Sequence, residues 1–124
     1  MAKKILVIDD EALVTESLKR LLKKAGYETE IASSGTKAME LIQKTNFDLI
    51  VSDIRMPDID GVETVKKIRE YLKQNGKPSV PEILITGYAS KESLQEAERL
   101  QVADYIYKPF NIQDFLEVIK RNLR

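Results

Sequence analysis

Three carboxylates stand where apolar runs end. Asp9 and Asp10 follow Ile5–Ile8, and Asp53 follows Leu49-Ile50-Val51-Ser52. If both runs are parallel strands of one sheet, their C-terminal ends lie along one edge and the three acids converge on a single pocket. Such a cluster suits a hard cation with oxygen ligands. The chain has no His and no Cys. That excludes a Ser-His-Asp triad, histidine- or thiolate-ligated zinc, thiol chemistry and disulfides. Any chemistry must use carboxylates, Lys and hydroxyls.

The elements that position these acids can be read from periodicity. The 124 residues, 43% of them hydrophobic, suit one compact domain with its own core. Short apolar runs alternate with helical stripes five times, the pattern of strand-helix units on a parallel sheet. Leu13, Val14, Leu18, Leu21, Leu22 and Ala25 form the first stripe, which Gly26 ends as a left-handed cap. Ser34-Gly35 opens a helix bearing Ala38, Leu41 and Ile42. Gly61 opens another with Val62, Val65, Ile68 and Leu72, stopped by Gly76-Lys77-Pro78-Ser79-Val80-Pro81. Ser90 caps a helix carrying Leu94, Ala97 and Leu100. Asn111 caps the last, with Phe115, Val118, Ile119 and Leu123 facing inward.

Ile5–Ile8, Leu49–Val51 and Ile83–Ile85 are continuously apolar and so covered on both faces, whereas Tyr27–Ile31 and Ala103–Tyr107 are mixed and belong at edges. With right-handed crossovers the order is 2-1-3-4-5, a flavodoxin-like doubly wound α/β fold with helices on both faces of a five-stranded parallel sheet. Its switch point falls between strands one and three, the strands that end in the acids.

Twenty Lys plus Arg balance twenty Asp plus Glu. No global basic field draws the chain to nucleic acid or to a membrane surface. Met-Ala-Lys-Lys leads into only four apolar residues, too few for a signal peptide or a span, so the expected location is cytoplasmic.

Ile8-Asp9-Asp10-Glu11, Ser52-Asp53-Ile54-Arg55-Met56-Pro57 with Asp60-Gly61, Ile85-Thr86-Gly87 and Tyr107-Lys108-Pro109-Phe110 together resemble the signatures of response-regulator receiver domains of two-component systems, in the family's order and over nearly the whole chain. The resemblance implies a receiver domain over residues 1–124. It is a signalling switch that takes a phosphoryl group onto Asp53 from a phosphohistidine of a partner kinase or phosphotransfer protein, promoting its own modification rather than turning over a substrate. It implies Mg²⁺ held by Asp9, Asp10, Asp53 and the backbone carbonyl of Arg55. Lys108, beside a cis peptide bond to Pro109, would pair with Asp53, and Thr86 would donate its hydroxyl to the phosphoryl group.

The resemblance further makes Thr86 and Tyr105 a switch. Tyr105 would report on the surface of the fourth helix, fifth strand and fifth helix, where Tyr88, Lys91, Tyr107 and Phe110 join it and a downstream protein docks. Phosphorylation-dependent homodimer formation stays open, as does action alone or within a longer regulator.

Two other classes compete. An Asp-based phosphotransferase or phosphatase calls for a second acid two residues after the nucleophile, where this chain has Arg55. A flavodoxin-like phosphate binder needs a Gly/Ser/Thr loop after strand one, where Asp9-Asp10-Glu11 would repel phosphate. The stretch from Lys73 to Val80 is expected to lengthen the loop before strand four, and Gly87 stands where the family often has Ala.

Overall fold

Alternating strands and helices run the length of the chain: β1 (Lys4–Ile8), α1 (Ala12–Lys24), β2 (Glu28–Ala32), α2 (Gly35–Lys44), β3 (Leu49–Asp53), α3 (Gly61–Gln74), β4 (Glu82–Thr86), α4 (Lys91–Leu100), β5 (Asp104–Tyr107) and α5 (Ile112–Asn122). The structure is a computed structural model that describes residues 2–56, 58–87 and 91–123, and only the backbone of 92–94. Pro57, Tyr88, Ser90 and the side chain of Leu94, all named above, lie outside the described residues.

All strand pairs are parallel, in the order β2-β1-β3-β4-β5. This is the expected doubly wound α/β sheet. Strand alternation divides the core between its two faces. Ile5, Val7, Leu49, Val51, Ile83, Ile85 and Ile106 meet Leu18 and Leu22 of α1 and Phe115, Val118 and Ile119 of α5. Leu6, Ile8 and Ile50 meet α2 and α3, and Leu84 meets Val62 and Val65 of α3 with Ala97 of α4.

Helix ends follow local chemistry. Ser34, Asp60 and Asn111 accept hydrogen bonds from the amides of Lys37, Glu63 and Asp114, capping α2, α3 and α5. At the end of α1, Gly26 takes φ +96°, its amide bonds the Lys23 carbonyl, and the Tyr27 amide reaches back to Leu22. Gly76, at φ +63°, ends α3 in the same way.

Several expectations change in detail. Leu13 is 87% exposed and Ala25 is also exposed, so neither belongs to the buried stripe of α1. Thr15 takes a buried place instead, its hydroxyl donating to the Ala12 carbonyl. Spacing supplied apolar residues on a wider arc than the sheet covers. Likewise β5 begins at Asp104, leaving Ala103 exposed, and β2 is shifted one residue to Glu28–Ala32.

Candidate phosphoacceptor site

The site forms at the C-terminal edge of the sheet because three ladders are extended by one hydrogen bond beyond their strands. The Asp9 amide bonds the Ala32 carbonyl at 3.1 Å, the Ile54 amide bonds Ile85 at 3.1 Å, and the Lys108 amide bonds Thr86 at 2.7 Å. These bonds fix the backbone of each residue that carries or follows a functional side chain. Asp53 is the last residue of the central strand β3, 6% exposed, with Ile85 as its register partner on β4.

Asp9, Asp10 and Asp53 each place a carboxylate oxygen within 4.8 Å of the others. Asp9 is 1% exposed and Asp10 lies at the surface. Asp9 Oδ1 accepts the Glu11 amide at 3.0 Å, while its buried Oδ2 has no hydrogen-bond partner among the described residues. Burial raises the pKa of the Asp9 carboxyl; the Glu11 amide opposes this, and the Asp53 charge adds to it. A buried carboxylate oxygen left without a donor, on a side chain clustered with two further carboxylates, is a poor arrangement unless a cation completes it. The donor set therefore fits a hard divalent ion.

Lys108 supplies the fixed cation. Its Nζ lies 2.8 Å from Asp53 Oδ2 and 3.7 Å from Glu11 Oε1. Burial works to lower the Lys108 pKa, but the hydrogen bond and charge of Asp53, with the charges of Asp9 and Glu11, outweigh it and hold the ammonium above its ordinary value. The Lys108–Pro109 peptide bond is cis. Asp53 Oδ1 accepts the Arg55 amide at 3.3 Å. Asp10, Glu11, Asp53, Arg55, Gly87 and Lys108 enclose a cleft of about 230 Å³.

Thr86 ends β4, is buried, and is not among the residues lining that cleft. By strand alternation it shares the α4 face with Leu84, and its register partner on β5 is Tyr107. Tyr105 points to the same face, half-buried against the Leu84 cluster, with its ring 6.5 Å from that of Tyr107. Burial raises the Tyr105 pKa, helped by Glu98 and Tyr107. Tyr107 is 68% exposed and Lys91 is exposed. Phe110 instead stacks on Phe115, centroids 5.5 Å apart, so its ring belongs with the α5 side of the core rather than with the tyrosines.

The roles of Glu11 and Glu82 escaped the sequence reading. Glu11 was expected only as motif context, yet it lines the cleft and reaches toward Lys108; its position directly after Asp9-Asp10 was the available signal. Glu82, before the apolar run of β4, is 5% exposed and forms a two-pronged pair with Arg69 of α3 at 2.8 Å for each bond. Nothing in local periodicity pairs residues 13 apart on different elements.

Residues 5–120 match the family model described as the response regulator receiver domain. The chain is 34% identical over 121 residues to the regulatory protein AtoC of Escherichia coli, covering 98% of this chain and 25% of that protein. It is 29% identical over 123 residues to the sporulation initiation phosphotransferase F of Bacillus subtilis, covering 99% and 95% respectively. The chain thus spans about a quarter of the length of AtoC and of the ZraR transcriptional regulators it matches, about half that of the regulator CrdR of Helicobacter pylori, and nearly all of the phosphotransferase. Among solved structures it is similar to a CheY-like receiver domain protein from Methanospirillum hungatei, with TM-score 0.89 at 34% identity, covering 99% of this chain and 94% of that one. It is also similar to the Vibrio cholerae chemotaxis protein CheY4, with TM-score 0.87 at 33% identity, covering 99% and 100%. Among the described residues no helix is long and apolar enough to cross a membrane. With its sheet order and its clustered acids, the chain belongs to the response regulator receiver domain family of two-component signalling.

Proposed function

We propose that this chain is a phosphorylation-switched signalling domain in which Asp53 is the phosphoacceptor. The observation that carries the reading is the convergence of Asp9, Asp10 and Asp53 within 4.8 Å beside a lysine 2.8 Å from Asp53. A carboxylate oxygen of Asp53 attacks the phosphorus of a phosphohistidine on a partner kinase or phosphotransfer protein; the P–N bond breaks as the new P–O bond forms, and the histidine keeps the electron pair and takes up a proton. Asp9, Asp10, Asp53 and the Arg55 carbonyl would hold Mg²⁺, which supplies neutralisation of phosphoryl charge.

The chain's own residues do the rest. Asp53 is held ready by Arg55 N–H and by Lys108, whose point charge transfers to a phosphoryl oxygen as the carboxylate is consumed. The three acids repel one another when unscreened, by about 4 kcal/mol for two unit charges 4 Å apart at an effective dielectric of about 20. The modification is for that reason cation-dependent.

Replacing the single charge of the Asp53 carboxylate by a bulkier acyl phosphate of roughly −1.5 to −2, with three new acceptor oxygens, biases the β4–α4 region. Thr86 moves its hydroxyl toward the new phosphoryl group, and Tyr105, on the same face, repositions against α4. This relays the signal to the α4-β5-α5 surface, where a downstream protein or a second copy of the domain docks. We place the domain in the cytoplasm, as a receiver either alone or within a longer regulator.

Intact-mass spectrometry after incubation with acetyl phosphate tests the acceptor chemistry. One added phosphoryl group is expected with Mg²⁺, and none with EDTA or in Asp53→Asn. Equal modification of wild type and Asp53→Asn would contradict the assignment.

A further inference from the structure

Helix α2 lacks an acidic residue in its own first turn. Its Ser34 cap is spent on the Lys37 amide at 3.1 Å, which leaves the amides of Gly35 and Thr36 to find other acceptors. The acceptor comes from 22 residues along the chain, in the loop between β3 and α3. Asp58 Oδ2 accepts the Thr36 hydroxyl at 2.8 Å and the Thr36 amide at 3.0 Å, and Oδ1 accepts the Gly35 amide at 3.3 Å. A carboxylate at the positive end of a helix is favourably placed. The Ile59 amide, then the Thr36 hydroxyl and the amides of Thr36 and Gly35, hold the Asp58 carboxyl far below the usual carboxylate range.

This contact is a junction between two elements rather than a solitary cap. A side chain at Gly35 would run into Ile59 and Thr64, so only glycine lets α2 dock on the loop this closely. Met56, in the same loop, packs against the cluster that contains Ala38 and Ile42 of α2. The far end of the loop is closed by the Gly61 amide bonding Ile54 at 2.7 Å. Arg55 and Met56 thus lie in a segment fixed at the strand end, at Asp58 and at Gly61. Arg55 is also where the cation site takes its backbone oxygen in the reading above, so what holds this segment bears on the cation.

We propose that Asp58 is a positioning residue for the phosphoacceptor site: by clasping α2 to the β3–α3 loop it sets the Asp53–Met56 segment for divalent-cation binding. The proposal rests on the reading of Asp53 as phosphoacceptor beside a cation site. Mg²⁺ affinity measured by amide NMR titration on the full chain tests it, using wild type, Asp58→Ala, Thr36→Val and Asn111→Ala. The last removes an ordinary cap, that of α5, which packs on the opposite face of the sheet from α2.

Asp58→Ala is expected to weaken Mg²⁺ binding about tenfold, the low end of what lost outer partners of a metal site cost. Thr36→Val should weaken it less, and Asn111→Ala should lower the melting temperature while leaving the affinity at the wild-type value. Unchanged Mg²⁺ affinity in folded Asp58→Ala overturns the proposal, as does equal weakening in Asn111→Ala. If Asp58→Ala does not fold, Thr36→Val decides, and wild-type affinity there overturns the clasp. Wild type that binds Mg²⁺ but takes no phosphoryl group from acetyl phosphate overturns the role of Asp53 and leaves the cation titration to judge Asp58; wild type that binds no Mg²⁺ overturns both.

Discussion

Gly61 lies against the backbone of Asp53: a Cβ on Gly61 would overlap the Asp53 carbonyl, and the Gly61 amide bonds the next carbonyl, that of Ile54, at 2.7 Å. The first residue of α3 is thereby pressed onto the strand end that carries the candidate nucleophile. β3 is paired with β1 on one side and β4 on the other, so an added methyl group displaces the loop more readily than the strand.

Gly61→Ala should consequently destabilise the fold by about 1–3 kcal/mol, the usual cost of overpacking. It should also slow phosphorylation of Asp53 even where the protein remains folded. Urea denaturation together with modification rates at saturating Mg²⁺ checks both effects. Wild-type stability would show that α3 can shift freely from the strand end.

Burial and the Asp53 charge work against the ionised Asp9 carboxyl, and the Glu11 amide and the Lys108 charge offset them only in part. The Asp9 pKa is raised, so the cost of ionising the carboxyl is absent below the ordinary value of 3.8 and fully present above the folded-state value. Asp9→Asn should raise the melting temperature at pH 7 without Mg²⁺ by a few degrees. The gain should shrink as pH falls toward 4, and added Mg²⁺ should stabilise wild type more than the variant. Calorimetry at two pH values, with and without Mg²⁺, reads all three; a variant less stable than wild type at pH 7 without Mg²⁺ would contradict this.

Arg69 and Glu82 are unequal partners. The Glu82 side chain is 6% exposed and that of Arg69 37%, and Arg69 also donates to the Leu100 carbonyl at 2.7 Å, tying α3, β4 and the end of α4 together. Arg69→Met strands a buried carboxylate and should cost about 3 kcal/mol. Glu82→Gln should cost less, since Gln keeps an acceptor and the guanidinium can reach water. Chemical denaturation of the two variants gives the order, and the reverse order would contradict it.

Asp104 accepts from Arg121 at 2.7 Å, from Asn122 at 3.0 Å and from the Tyr105 amide at 2.9 Å, anchoring the end of α5 to β5. The Arg121 bond foremost lowers its pKa, against some desolvation. A depressed carboxyl contributes stability that is present above the ordinary 3.8 and lost as pH falls through the folded-state value. Asp104→Asn should therefore cost up to about 1 kcal/mol at pH 7, given partial exposure and screening, with the difference fading below pH 4. A constant difference between pH 7 and pH 3 would contradict the linkage.

Much of this was legible because the signals are local. Five apolar runs of distinct polarity gave the sheet order, and acids directly after two of them located the site. Asn111 and Gly26 act as expected because caps depend on neighbours a few residues away. What stayed hidden is set by packing across the chain. Leu13 matched the α1 stripe in spacing but lies beyond the arc that the sheet covers. Phe110 belongs to the motif of Lys108, yet its ring stacks on Phe115. Asp58, Arg69 and Glu82 find partners on other elements, which no periodicity announces.

The most direct test of Asp53 as phosphoacceptor is to locate the modification chemically. The protein is incubated with acetyl phosphate and Mg²⁺, reduced with borohydride, which converts an aspartyl phosphate to homoserine, and digested for peptide mass spectrometry. Homoserine at position 53, absent when Mg²⁺ is withheld, is the expected result. A phosphoryl group that survives borohydride on a Ser or Thr, or homoserine at Asp9 or Asp10 with Asp53 intact, would contradict the account.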